Sequence, residues 1–223
     1  MDNKRALFTS EGKYPRASDK VDEELRKFFP NYTYKGVFID VGANHSEWMS
    51  SSWHFEMSGW NVVCIEANPK CIEELKSGRK HVLNYAAFSK NCTKTLLIYG
   101  GEKGAGGQAS YTGLEGFVRG HKGREVKVEV EARTLNWILT TYFPKITFID
   151  ILSIDVEGAE IEVLKGFDLE KWLPKVIVVE NLSNDKERFS RILKPLGYNY
   201  YKHAYRAWNE FHYLTKEFGE VKV

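Results

Sequence analysis

Val37-Phe38-Ile39-Asp40-Val41-Gly42-Ala43-Asn44 is the stretch that decides the fold. A run of β-branched and aromatic residues ends in an acid and a glycine just before a helical stretch, which reads as a strand opening onto a ligand crevice. Gly42 lets the backbone come close to a ligand where a side chain would block it. Outward from this strand, apolar runs at 36–41, 61–66, 81–87, 147–154 and 175–180 alternate with helical or loop stretches at 47–58, 69–77, 134–142, 159–166 and 185–194. Alternation of this kind predicts an α/β fold, a doubly wound and mostly parallel sheet with helices on both faces.

Both ends of the chain depart from that rhythm. The aromatic-rich segments 198–205 and 210–216, around Ala207-Trp208-Asn209, predict a C-terminal antiparallel hairpin. Residues 1–35 are polar, and the spacing of Val21, Leu25, Phe28 and Phe29 predicts a helix over 18–29 that Pro30 and Asn31 close. The expected organisation is an N-terminal helical extension over 1–35 and one domain over 36–223, a length that suits a single core. Residues 100–123 break the pattern with nine glycines, between strand-like 95–99 and 125–131. No GK[ST] follows them, so a phosphate loop is not expected, and the stretch is read as a lid on the acceptor side.

Composition narrows the function classes. With 43% hydrophobic and 28% charged residues the chain is that of a packed globular protein. A net charge of +2 is no footprint for a phosphate backbone, so nucleic acid is not an expected partner. No apolar run reaches the length of a membrane span and the sequence opens on a polar stretch, so a cytoplasmic protein without a membrane partner is expected. Cys64, Cys71 and Cys92 form neither a disulfide framework nor a zinc pair.

The second strand, Asn61-Val62-Val63-Cys64-Ile65, ends in Glu66, twenty-four positions after Gly42. An acid about 20 residues after the first turn suits a ribose diol, whose two hydroxyls a carboxylate can accept. An NAD-binding oxidoreductase would need G-x-G-x-x-G to close on a pyrophosphate, and here only Gly42 is followed by Asn44, His45 and Ser46. S-adenosylmethionine carries no phosphate, so one close glycine suffices for it.

The segments DVGAN at 40–44, IEANP at 65–69, NYAAFS at 84–89 and LSIDVEGAEIEVLKGF at 152–167 together resemble the FkbM family of methyltransferases. The resemblance runs from 36 to about 182 and implies a class I, Rossmann-like, S-adenosylmethionine-dependent enzyme. It implies that Asp40, Gly42, Ala43 and Asn44 hold the methionine end, with Ser46 and Asn68 nearby. Glu66 would then meet the ribose and Ala87 with Phe88 the adenine edge, with Ala67 also among the cofactor-binding residues. Ser46 stands where the family usually has glycine, so this sequence departs from the pattern there. A degenerate relative that only binds remains the non-enzymatic alternative.

Strand 147–154 delivers Asp155, Glu157 and Glu160 into a turn opened by Gly158. Residues two apart share a side of a strand, so Asp155 and Glu157 are expected to face the crevice. Glu160 suits a helix start as well as a functional role. The last parallel strand ends in Glu180-Asn181, and sheet neighbours bring these near Asp155. Asp155, Glu180 and Asn181 form an oxygen-only set of the kind Mg²⁺ or Mn²⁺ accepts, and a metal-free cluster orienting hydroxyls fits the same residues. An alcohol must lose its proton to become a good nucleophile, so Glu157 is read as the base, with His203 as the second candidate and Asp155 beside them. Glycine at 158 replaces the lysine of catechol-type enzymes, which favours a hydroxyl of a sugar or glycan as the acceptor by family analogy.

Overall fold

The computed structural model describes residues 20–100, 111–118, 124–183, 185, 187–203 and 208–219. In chain order the elements begin with α1 (Val21–Phe28), β1 (Val37–Val41), α2 (Trp53–Met57), β2 (Asn61–Glu66), α3 (Ile72–Gly78) and β3 (His81–Asn84). Next come β4 (Ala86–Ala87), β5 (Cys92–Gly100), β6 (Tyr111–Leu114), β7 (Arg124–Arg133) and α4 (Leu135–Tyr142). The chain continues through β8 (Ile151–Ile154), α5 (Glu160–Lys165), α6 (Leu169–Trp172), β9 (Val176–Glu180), α7 (Ser190–Leu193), β10 (Tyr198–His203), β11 (Asn209–Leu214) and α8 (Thr215–Phe218).

Seven strands form the main sheet in the order β10-β11-β9-β8-β1-β2-β3. The pairs β1–β2, β1–β8, β2–β3 and β8–β9 are parallel, whereas β11 runs antiparallel to both β9 and β10. The chain winds outward from β1 to β2 and β3, then returns to the other side of β1 as β8 and β9. That reversal opens a crevice at the carboxyl ends of β1 and β8.

Two apolar layers cover the sheet because its central strands are apolar on both faces. Val37, Ile39 and Val41 of β1 join Leu135, Ile138 and Leu139 of α4 in one cluster. Phe38 of the same strand faces the other cluster, with Leu25 of α1, Phe55 of α2 and Leu75 of α3. This alternation is the two-residue period of a strand. At the amino end, buried Asp150 accepts from the Val37 amide at 2.8 Å and from the Tyr34 hydroxyl at 2.8 Å, and pairs with Lys175 at 2.8 Å. No described helix is long and apolar enough to cross a membrane.

A second sheet, ordered β4-β7-β5-β6, departs from the sequence reading. The strand-like flanks of the glycine-rich stretch, 95–99 and 125–131, extend to Cys92–Gly100 and Arg124–Arg133, pair with each other and recruit Ala86–Ala87. The alternation Val126, Val128, Val130 against Glu125, Lys127, Glu129 is that of a sheet wet on one face. Its dry face, with Phe88, Leu96, Ile98, Leu114 and Val130, packs on Ala159 just before α5. Within the expected lid, residues 101–110 and 119–123 lie outside the described residues.

Of the helical or loop stretch read over 47–58, Trp53–Met57 is helical. Asn44 and Met49 are left-handed, at φ 52° and 58°, so the chain after β1 is an irregular loop until Ser50 Oγ accepts from the Trp53 amide at 3.2 Å and α2 begins. The strand read over 147–154 likewise starts only at Ile151.

Candidate active site

Where β1 and β8 end side by side, the backbone itself shapes the crevice. The Asp155 amide donates to the Val41 carbonyl at 2.9 Å, and the Gly42 amide donates to the Ile65 carbonyl at 2.8 Å. Gly42 sits at φ 88° against Asp155. Above this junction lies a cavity of about 570 Å³. Of the residues read from the sequence, Asp40, Gly42, Ala43, Asn44, Glu66, Ala67, Ala87, Asp155, Glu157 and Glu180 line it.

Glu66 is held before any ligand arrives. Its carboxylate accepts from the Asn44 amide at 2.9 Å and the Asn68 amide at 2.7 Å, which ties the ends of β1 and β2 together. Burial pushes its pKa up, and those amide bonds oppose the shift only in part. Asp40 is buried and its pKa is raised for the same reason, while its Oδ2 accepts from Ser52 Oγ at 2.5 Å. Ser52 in turn accepts from Arg79 Nη2 at 2.6 Å, and Arg79 pairs with buried Glu56. This chain anchors the floor of the cavity to α2 and to the end of α3.

The acids after β8 and at the end of β9 converge. Asp155, Glu157 and Glu180 each offer a carboxylate oxygen, and these lie within 4.8 Å of one another. Burial raises the pKa of both Asp155 and Glu180, and repulsion among the clustered acids adds to the shift. Glu180 is 7% exposed, and its Oε2 has no hydrogen-bond partner among the described residues. Glu157 is pushed up to about 7, first by burial and then by Glu160. Its φ of 57° is a left-handed conformation that a non-glycine residue adopts only under constraint. The constraint comes from the second sheet, since Gly113 lies against the Glu157 Cβ and Gly158 against the Phe117 carbonyl. Glu160 opens α5 and accepts from the Gly158 amide at 2.7 Å, so it shapes the turn.

Several expected residues lie elsewhere. Asn181, read as a third ligand of a metal, does not line the cavity. Its Nδ2 donates to Glu210 at 2.5 Å and its Oδ1 accepts from the Ser183 amide and hydroxyl, which uses the groups a cation would need. Phe88, read as an adenine contact, is buried in the second sheet's core against Phe117 at 5.7 Å and beneath Lys94 at 4.2 Å. Ser46 gives its hydroxyl and amide to Glu74 rather than to the cavity, and Asn68 caps the turn ahead of α3 by accepting from Lys70. His203 closes β10, and its side chain lies outside the described residues.

The sequence reading missed the other wall. Trp48, Met49, Ser50 and Ser51 line the cavity from the loop after β1, and Leu96, Tyr99 and Tyr111–Leu114 line it from the second sheet. Trp208 completes it beside Glu180, its carbonyl accepting from the Asn181 amide at 2.6 Å. Tryptophan in the polar run Ser46-Glu47-Trp48-Met49-Ser50 was a legible signal, because an apolar ring there has no helical face to bury it.

Such a cavity can seat a nucleoside-bearing ligand at Glu66 and a second molecule against Glu157. A family described as the methyltransferase FkbM domain matches residues 40–215. The methyltransferase sdnD of Sordaria araneosa is 40% identical over 86 residues, 34% of this chain. That match spans 33% of the relative's own length. No solved structure matches the chain.

Proposed function

The chain belongs to the FkbM methyltransferase family, and from that premise we propose that it is an S-adenosylmethionine-dependent O-methyltransferase acting on a hydroxyl of a sugar or glycan. The observation that carries the reading is the placement of Glu157 in the same cavity as Glu66, beside the carboxylates of Asp155 and Glu180. One part of the cavity is suited to holding a nucleoside and the other to taking a proton.

The residues fit the cofactor. Gly42 leaves a cradle that a side chain would fill, and Glu66 has acceptor capacity left for two ribose hydroxyls. Ala43 and Asn44 extend the backbone wall, while Tyr85, Ala86 and Ala87 line the side where a base would lie. When bound, S-adenosylmethionine supplies an electrophilic methyl on a sulfonium. Glu157 takes the proton from the acceptor hydroxyl, and its pKa near 7 matches that task at neutral pH. Asp155 and Glu180 hold the acceptor oxygen in line. The strand order supports a class I, Rossmann-like frame over 36–223, with the second sheet inserted between β3 and α4.

Asp155, Glu157 and Glu180 also fit Mg²⁺ or Mn²⁺ as an all-oxygen set, the unpartnered Glu180 Oε2 being an open ligand atom. A cation there would lower the hydroxyl's pKa.

Calorimetric titration with S-adenosylmethionine and with NAD, followed by transfer of labelled methyl to a glycan panel with and without EDTA, tests these points. Binding of S-adenosylmethionine with oxygen-linked label in the glycan is expected. Binding without transfer to any acceptor would make the chain a binding module, and preference for NAD would remove the cofactor reading. Full activity in excess EDTA would remove the cation.

A further inference from the structure

His45 and Ser46 follow Asn44 directly, and neither lines the cavity. They sit in a loop bounded by two left-handed non-glycine residues, Asn44 at φ 52° and Met49 at φ 58°, which do line it. Such conformations persist only where the surroundings overdetermine them. The Asn44 amide is also the donor that holds Glu66, at 2.9 Å. Whatever fixes the loop between Asn44 and Met49 therefore bears on the nucleoside end of the site.

The fixing groups come from α3 and the residue that ends it. Glu74 accepts from the Ser46 amide at 3.0 Å through Oε2 and from the Ser46 hydroxyl through Oε1. Arg79 Nη1 donates to the Ser46 carbonyl at 3.1 Å, so all three polar atoms of Ser46 are engaged from the same helix end. His45 carries the hold further along the loop. Its Nδ1 accepts from the Glu47 amide at 3.1 Å and from the Trp48 amide at 3.0 Å, which leaves the ring hydrogen on Nε2, 3.4 Å from Glu74 Oε1. Glu74 thus grips the loop twice, at Ser46 directly and at two further amides through the imidazole. Gly78 of α3 supplies the close approach, since a Cβ on it would lie 2.8 Å from the Ser46 Cβ and 2.9 Å from its Oγ.

We propose that Glu74 is a positioning residue for the cofactor: through Ser46 and His45 it holds Asn44 in the turn that presents its amide to Glu66, and so sets where the ribose is bound. The proposal rests on the S-adenosylmethionine reading and adds to it a residue outside the cavity. A tie that served stability alone would lower Tm and leave the affinity for the cofactor as it is. A positioning residue changes that affinity.

The test begins with Glu74→Ala. The dissociation constant and the KM for S-adenosylmethionine should both rise about tenfold, as the loss of hydrogen bonds to a partly exposed carboxylate allows. At saturating S-adenosylmethionine kcat should stay within about twofold, because the acids after β8 and at the end of β9 are untouched. Long-range ¹H–¹⁵N spectra should show His45 with its hydrogen on Nε2 in the wild type and a mixture of tautomers in the variant. Gly78→Ala should lower Tm and weaken cofactor binding in the wild type. In a Ser46→Gly background it should do neither, since the crowding atoms are gone and alanine is the better helix residue. A wild type that binds S-adenosylmethionine beside a Glu74→Ala variant that binds it equally well overturns the proposal, as does a loss confined to kcat. A hydrogen on Nδ1 of His45 in the wild type, or an equal loss of Tm from Gly78→Ala in both backgrounds, overturns it too. A wild type that binds no S-adenosylmethionine removes the cofactor reading and the proposal with it, so the two failures are told apart by the wild type alone.

Discussion

Gly42 and Asp155 are in backbone contact at the carboxyl ends of β1 and β8: a Cβ placed on Gly42 would lie 1.7 Å from the Asp155 carbonyl oxygen. One glycine thus sets the spacing between the carboxyl ends of β1 and β8. Gly42→Ala should cost about 2 kcal/mol or more, since it adds a left-handed alanine at φ 88° to the clash. Chemical denaturation and calorimetry with S-adenosylmethionine check it. A variant with wild-type stability and affinity would mean that β8 can shift freely.

Glu66 is expected to carry the nucleoside. Glu66→Ala should weaken S-adenosylmethionine binding by about 2 kcal/mol, or some thirtyfold, because two ribose hydroxyls lose their acceptor. Since Glu66 also holds the Asn44 and Asn68 amides, the measurement needs a control. A 2′,3′-dideoxy analogue should bind variant and wild type with nearly the same affinity. An unchanged dissociation constant for S-adenosylmethionine removes Glu66 from the site.

Arg79 and Glu56 are both buried and serve each other. Arg79 also donates to the Ser46 carbonyl at 3.1 Å and to Ser50 at 3.1 Å, so the loop that presents Trp48 and Met49 depends on it. Removing one partner strands a buried charge, and Arg79→Met should cost about 3–5 kcal/mol. Glu56→Gln combined with Arg79→Met should cost clearly less than the sum of the two single changes. Strict additivity in a double-mutant cycle would show that the two are not coupled.

Activity should follow the ionisation of Glu157. A base works only when deprotonated, so kcat/KM in the presence of chelator should rise with pH and level off above about 7, the value to which burial pushes this residue. Glu157→Gln should keep cofactor affinity, lose that limb of the profile and slow the chemical step by roughly 10²- to 10⁴-fold. Near-normal turnover by this variant would pass the role of base to His203.

The same acids should make the ligand-free protein less stable at higher pH. Glu157 has a folded pKa near 7 against an ordinary 4.5, and Glu180 is raised as well, so the folded state binds more protons than the unfolded state above 4.5. The stability of their protonated forms is complete below 4.5 and is lost as pH rises through the folded values. Tm should therefore fall between pH 5 and about 8, and Glu180→Gln, which needs no proton to stay neutral, should flatten that fall. A variant whose Tm keeps the wild-type slope would remove Glu180 from this linkage.

Much of the parallel frame was legible because local order and tertiary order agree there. The runs at 37–41, 61–66 and 176–180 are apolar on both faces, which only a covered parallel strand can use, and all three are central strands. Gly42, Glu66, Asp155, Glu157 and Glu180 were placed at the cavity from strand ends alone, since in an open α/β sheet the crevice lies there. The second sheet was less legible. Its pairing of Ala86–Ala87 with Ala132–Arg133 joins segments far apart in the chain, and no local period records such a partner.

The sequence by itself determined the strand ends and the chemistry carried on them, because a two-residue period and a close glycine are properties of a few adjacent residues. Tertiary structure alone decided which polar groups remained available. Asn181 and Ser46 carry suitable atoms, yet Glu210, Ser183 and Glu74 occupy them. Glu180, by contrast, is left with a buried oxygen that has no partner among the described residues. The aromatic wall was decided in the same way, since Trp48, Tyr111 and Trp208 are far apart in the chain and meet only when three loops are set by separate strands. Hydrogen-bond competition and convergence depend on distances across the folded chain, and those are not local quantities.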